Sequence, residues 1–462
     1  MRSRLFNSFI TVLSLAFVAG TQRLPAQRTP PRDTMSMPPG MDMGQATQMT
    51  ESPFGISMDR MGSGTTWIPD AVALPSRHFT AGAWSLMVHG FVFAQYNKQS
   101  GPRGADQFGS LNWGMLMASR EVAGGTFQAR TMLSLDALTV GGGGYPLLLQ
   151  SGEQYRGKPN FDRQHPHDFF MELGALYERK VAGPVGVSVY VAPAGEPALG
   201  PVAFMHRPSA MDVPMAPLGH HWQDATHISF GVLTAGVFTH DWKVEGSVFN
   251  GREPDDQRWN FDPIRLDSYS GRITYNPTKN WSFATGYGYL KSPEFSHPDE
   301  SIHRLTGSVL HGAALGDDGQ VATTVSWGAN AKGRNVGWTH SVLVESEAVM
   351  DQRNTVFGRV EYVQKSAEDL VLDTPKFGFA SDRRFNVSTF SLGYIREVGR
   401  WGPTTIGLGG LGSLNFLPSA LEVPYGSRTP FGAMAFLRIR PVRAKAGAMD
   451  HSHMEGMKNA QP

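Results

Sequence analysis

The 462-residue sequence predicts an all-β fold, a transmembrane antiparallel up-and-down β-barrel of about 16 strands, in the range 14–18, with disordered Met-rich termini. Two patterns carry this reading. Between Trp84 and Arg440, segments of about 10 to 14 residues alternate side-chain character with period 2, and turn residues separate them. The gaps between these segments alternate short and long. A soluble sandwich has no reason to keep its long connections at one end. An outer-membrane barrel does, because tight turns lie on one side of the membrane and long loops on the other. An even strand number also brings both chain ends to the tight-turn, periplasmic side.

The chain opens with MRSRLFNSFITVLSLAFVAG, in which Arg2 and Arg4 precede an apolar run from Leu5 to Ala19. This has the form of a secretory signal peptide, expected over residues 1–26, with cleavage after Gly20 or Ala26. The run is short for a spanning helix, and no later stretch holds about 18 consecutive apolar residues, which argues against an α-helical membrane protein. The sequence has no Cys, so disulfides and thiolate metal sites are excluded. Its net charge of +1 gives no reason to expect a nucleic-acid partner. Residues 27–82 are rich in Pro, Met, Ser and Gly without a sustained period, so a disordered periplasmic arm is expected there.

The barrel is expected over residues 83–441. Its candidate strands are 84–97, 108–120, 125–136, 168–179, 185–195, 226–239, 241–251, 266–276, 280–292, 301–312, 319–331, 337–350, 353–366, 384–398, 403–417 and 430–440. The stretch SYSGRITYNPTKNWSFATGYGYL (268–290) explains the assignment. Tyr269, Ile273, Tyr275, Phe283 and Tyr287 suit an outer, lipid-facing surface with an aromatic girdle, and Ser270, Arg272 and Thr274 suit the inside. In lipid every backbone N–H and C=O needs an internal partner, which a closed barrel supplies. Charges elsewhere keep the same parity. The inward candidates are Arg130, Glu172, Lys243, Glu245, Arg272, Glu345, Glu347, Arg359 and Glu361, together with Asp136. Their mixed signs suit either a wet channel or a plug knitted by ion pairs.

The stretches HGFVFAQYNKQSGPRGADQFGS, RTMLSLDALTVGGGGYPLLLQSGE, DRQHPHDFFMELGALY, GEPALGPVAFMHRPSAMD and NGREPDDQRWNFD resemble uncharacterised bacterial porin-like outer-membrane β-barrel proteins. The resemblance covers residues 84–265. It implies a place in the bacterial outer membrane and an association with heavy-metal, particularly copper, resistance. The partners expected of such a chain are the outer-membrane lipid bilayer, the outer-membrane assembly machinery and small solutes or copper ions, with a homotrimer as a candidate assembly. The last strand departs from the common pattern: it carries Phe436 but runs on into AKAGAMDHSHMEGMKNAQP.

Metal ligation is expected at both ends. The arm holds Met35, Met37, Met41, Met43, Met49, Met58 and Met61 in polar sequence, the first four the candidate ligands, and the tail, 442–462, holds Met449, His451, His453, Met454 and Met457. Thioether and imidazole groups in Cys-free polar sequence favour Cu(I), with His also accepting Cu(II). MDMG and MDHSHMEGM resemble the Met/His repeats of B-type outer-membrane copper-resistance proteins. A second candidate set, His165, His167, His206, His220 and His221, sits in the two longest loops. The bland reading of each is incidental Met, or His bonded to loop backbone.

The expected function is therefore a non-enzymatic outer-membrane channel or transporter for small solutes, linked to copper or heavy-metal efflux or resistance. No cofactor is required, and copper ions are the candidate ligand. The alternatives are a membrane-anchored copper-sequestering protein with a closed barrel and, less well supported, an outer-membrane hydrolase. The last lacks a nucleophile-elbow motif.

Overall fold

The structure, a computed structural model, describes residues 52–333, 337–351 and 353–443. The signal peptide, the arm methionines Met35, Met37, Met41 and Met43, and the tail ligands Met449, His451, His453, Met454 and Met457 lie outside these residues.

The strands are β1 (Ser76–Ala81), β2 (Trp84–Gln99), β3 (Asp106–Val122), β4 (Gly125–Leu133), β5 (Tyr145–Tyr155), β6 (Lys158–Gln164), β7 (Phe170–Ala182), β8 (Val185–Gly195), β9 (Ser229–Phe238) and β10 (Trp242–Phe249). They continue with β11 (Ser268–Thr278), β12 (Trp281–Lys291), β13 (Ser301–Leu315), β14 (Gly319–Lys332), β15 (Thr339–Val349), β16 (Asn354–Ser366), β17 (Arg384–Trp401), β18 (Thr404–Phe416) and β19 (Phe431–Pro441). Sixteen of these, β2–β4 and β7–β19, pair antiparallel in chain order. β19 then closes the ring on β2, from Gly432↔Gln99 to Ile439↔Val92. β1 continues the same edge of β2, from Ser76↔His89 to Ala81↔Trp84. It covers residues 84–89 of the β2 edge, which β19 does not reach.

The outer surface is written by register. Val309, Val325, Val344, Val360, Phe390, Leu414 and Phe431 pair in turn across seven strands and form one outward apolar row. Aromatic rings gather near the short turns, where Trp242 stacks on Tyr275 at 4.1 Å and Trp281 lies 5.9 Å from Phe283. The side chains between the outward ones are enclosed: Ser270, Arg272 and Thr274 are buried while Tyr269 and Ile273 are exposed.

Two segments fill the interior. The first corrects the expectation of a disordered arm over 27–82. Its part from 52 to 75 enters the barrel, where Ile56, Met61, Trp67, Ile68 and Leu74 are buried. This segment has no period because it follows no regular element. Its backbone is satisfied by the wall: Asn276 donates to the Ile68 carbonyl, Ser282 to the Trp67 carbonyl, and the Ala71 N–H to the Lys279 carbonyl. The second segment, 196–228, joins β8 to β9, and nearly all of its side chains are buried. It forms the plug.

Candidate functional site

The candidate site is the lumen, and it is occupied by the chain itself. On β15 and β16, Glu345 and Arg359 face each other in register and lie 2.7 Å apart. Arg207 of the plug lies 2.5 Å from Glu345 and 3.3 Å from Asp224. Ser209 donates to Glu345 at 3.0 Å, Arg359 donates to the Met215 carbonyl, and the Gly219 N–H donates to Glu361. Enclosed charges of this kind are tolerated only when paired and hydrogen-bonded.

Toward the short-turn mouth, Asp212 of the plug meets Arg438 of β19, with Arg440 and Arg443 at 3.5 and 3.6 Å. Glu397 of β17 joins Arg438 and Arg440, and Glu347 lies 3.1 Å from Arg443. Burial alone would raise the Asp212 carboxyl, but the three guanidiniums outweigh it and hold it at about 2. Beyond this cluster opens a cavity of about 630 Å³. Arg353, Arg396, Arg400, Arg440 and Arg443 line it, against Asp318, Asp351 and Glu397, so its field favours anions.

On the other wall the inner segments are clasped in the same way. Arg272 lies 3.1 Å from Glu245, and Lys243 lies 3.7 Å from it. Lys243 donates to the Thr65 carbonyl and Arg272 to the Thr65 hydroxyl. Arg130 pairs with Glu172 at 3.1 Å and donates to the carbonyls of Gly62 and Gly64. The nine residues expected to line a pore thus point inward, but each is at most 4% exposed. Instead of facing water they pair with one another and bind the wall to the inner segments, Glu345, Glu347, Arg359 and Glu361 to the plug and Arg130, Lys243 and Arg272 to residues 62–65. Asp136 sits in a short helix outside the strands, 2.7 Å from His167.

The long-loop end is capped by β5 and β6, a hairpin folded from loop 134–169. Asn97 donates to the Pro146 carbonyl, Arg103 pairs with Asp162 at 2.5 Å, and the Tyr425 hydroxyl donates to Asp162. Leu148, Leu149, Trp222, Val363, Leu370 and Phe385 pack as an apolar cluster under this cap.

The loop histidines lie near one another without sharing a focus. His167 and His227 are 5.5 Å apart between ring centres, His220 and His227 5.1 Å, His220 and His221 5.5 Å, and His165 and His221 6.1 Å. Nδ1 of His167 meets Asp136 and Nδ1 of His220 meets Asp224, each at 2.7 Å, while His227 bonds the Asp224 carbonyl. Among the described residues no group of three or more His, Asp or Glu converges as a metal site. Burial first, then neighbouring His220 and His167, lowers His227 to about 3, so it is neutral at pH 7. His206 lies apart from this group, against β2 and β3.

Sequence reasoning missed several partners. Arg438 and Arg440 share the inward parity of Met434 and Phe436, so the strand pattern held that signal. His89 is likewise an inward residue of β2. Arg207, Asp212 and Asp224 belong to an aperiodic loop that carries no such signal.

This geometry defines a closed 16-strand antiparallel β-barrel with an occupied lumen. Solved structures with a similar strand arrangement include OmpF of Salmonella typhi in complex with daunomycin, at 8% identity over 79% of this chain and 100% of that one, TM-score 0.48. An anion-selective porin from Comamonas acidovorans matches at 11% identity over 77% and 99% of the two chains, TM-score 0.45. OprB of Pseudomonas putida matches at 12% over 77% and 94%, TM-score 0.45. No protein-family model matches the sequence, and no curated protein does.

Proposed function

We propose that the chain is a non-enzymatic outer-membrane β-barrel channel for small solutes, narrowed in this conformation by residues 52–75 and shut by residues 196–228. The supporting observation is the contrast between a dry apolar exterior and a lumen whose charged wall residues bind a removable loop. Sixteen strands enclose space enough for an aqueous channel once that loop is withdrawn. The plug is held by ion pairs and hydrogen bonds, which water can replace, and by apolar side chains such as Val202, Met205, Met211 and Val213 packed in the core, and no disulfide ties it down. Export by the N-terminal signal and insertion in the outer membrane follow from the same reading.

Current through planar bilayers tests it. The full-length protein is expected to be closed for most of the time, with rare openings. Gly195 and Ser229 are direct strand partners, so a tight turn of a few Gly and Asn residues can replace the plug. That variant is expected to conduct steadily. A continuously open wild type, or a silent plug-less barrel, would overturn the proposal.

A second reading, copper handling by the same protein, has its own support. It rests on the Met and His residues of the two termini, soft ligands in Cys-free sequence. Deleting 27–51 and 446–462 separates the two readings: loss of copper tolerance with unchanged current assigns the metal role to the ends. A homotrimer is tested by native mass spectrometry in detergent.

A further inference from the structure

At one point the barrel wall and the plug bring two imidazoles together. His89 points inward from β2, and the His206 ring of the plug lies 5.1 Å from it, centre to centre. They are 2% and 1% exposed. All four ring nitrogens are enclosed, and none has a hydrogen-bond partner. In either neutral tautomer an imidazole carries one N–H and one lone pair, so each ring leaves both unmet. His167, His220 and His227 differ, because each engages an acceptor through Nδ1. A buried polar group with no partner calls for an explanation, and an ion held there is one.

The surroundings select the kind of ion. Strand register places Met115 directly opposite His89, and Met117 opposite Met87, all on the inward face. Directly opposed side chains have Cβ atoms about 5 Å apart, within reach of a thioether. Trp113 covers the pair, 4.8 Å from His206 and 5.3 Å from His89. Arg130 comes next in register, opposite Met117. Its charge is already answered by Glu172, at 3.1 Å. Hard cations want several carboxylate or carbonyl oxygens, and structural zinc wants four ligands. Imidazole nitrogen with thioether sulfur suits a soft cation.

We propose that His89 and His206, with the Met115 thioether, form a site for one soft monovalent cation of the Cu(I) class at the junction of wall and plug. The site lies outside the terminal Met/His segments, and binding there does not require the plug to open. An ion bridging β2 to the plug binds the closed form and holds it shut.

Full-length protein in detergent micelles is titrated anaerobically with Cu(I) against a colorimetric chelator, beside a variant carrying His89→Phe and His206→Phe. The variant is expected to bind one ion fewer per chain. Copper-edge X-ray absorption of the wild type is expected to gain nitrogen and sulfur scatterers that the variant lacks. Met115→Leu keeps the side-chain volume and guards against a variant that fails to fold. It is expected to weaken binding by about tenfold, the low end of what losing a supporting contact does at metal sites. Equal stoichiometry in wild type and double variant would mean that the rings share only water and overturns the proposal, as does unchanged affinity in Met115→Leu. These titrations are independent of the bilayer currents, so failure here leaves the channel reading standing, and the reverse.

Discussion

Single residues decide whether the plug stays in place. Glu345 answers Arg207 of the plug and Arg359 of the wall, at 2.5 and 2.7 Å. Glu345→Gln keeps the shape and removes the shared charge, leaving Arg359 without its partner carboxylate and Arg207 with Asp224 alone. Breaking a buried pair in this way costs about 3–5 kcal/mol. The expected result is a barrel that still inserts but opens often, read as a higher open probability in bilayers. Asp212 sets an acid limit. With its carboxyl near 2 in the plugged state, and at its ordinary value near 3.8 once the plug reaches water, the contribution to closure is complete above about pH 4. It is lost as pH falls through that lowered value. Openings are therefore expected to rise below about pH 4. Asp212→Asn is expected to open at neutral pH and to lose that acid component. At this scale the sequence is half legible: parity places Glu345, Arg359 and Arg272 inside, but nothing in the composition of 196–228 says that Arg207 would meet Glu345 or that Asp212 would meet Arg438.

Elements were easier to read than partners. All sixteen barrel strands appear in the alternation, from β2 to β19, because each has one lipid-facing and one enclosed side. β1, β5 and β6 escape the same reading. β1 spans only six residues on the seam, and residues 145–150 of β5 are all buried, so no period of 2 is imposed on them. One wall position also has a role that no pattern reveals. A Cβ on Gly328 of β14 would lie 2.1 Å from the Trp222 carbonyl oxygen in the short plug helix His220–Gln223. Only glycine lets the plug backbone come so close. Gly328→Val is expected to lift this helix from the wall, read as faster amide exchange over 219–224 with the strand amides of β14 unchanged. Removing 76–81 is expected to expose the β2 edge over 84–89, which β1 covers, while 92–99 stays protected by β19.

The whole molecule rests on a single division: hydrocarbon outside, and inside a lumen filled by the chain's own apolar side chains and paired charges. Adjacent residues of β14 test both sides of it. Val325 stands in the outward apolar row and is 44% exposed. Thr324, its neighbour, points inward, where its hydroxyl lies 2.6 Å from that of Ser209 in the plug. Val325→Lys puts a charge against lipid and is expected to cost about 2–4 kcal/mol near the bilayer midplane. That loss is measured as a shift in urea titrations of folding into vesicles. The plug does not touch this position, so the current of the protein that does insert stays closed. Thr324→Lys is expected to do the opposite. It leaves the lipid face intact and insertion nearly unchanged, but it crowds Ser209 and adds a charge beside the Arg207–Glu345–Arg359 cluster, so openings increase. The two lysines differ by one position in the chain, and period 2 alone separates their effects. If both impaired insertion equally, the wall would not divide lipid from lumen, and the parity by which the interior was recognised would have no physical basis.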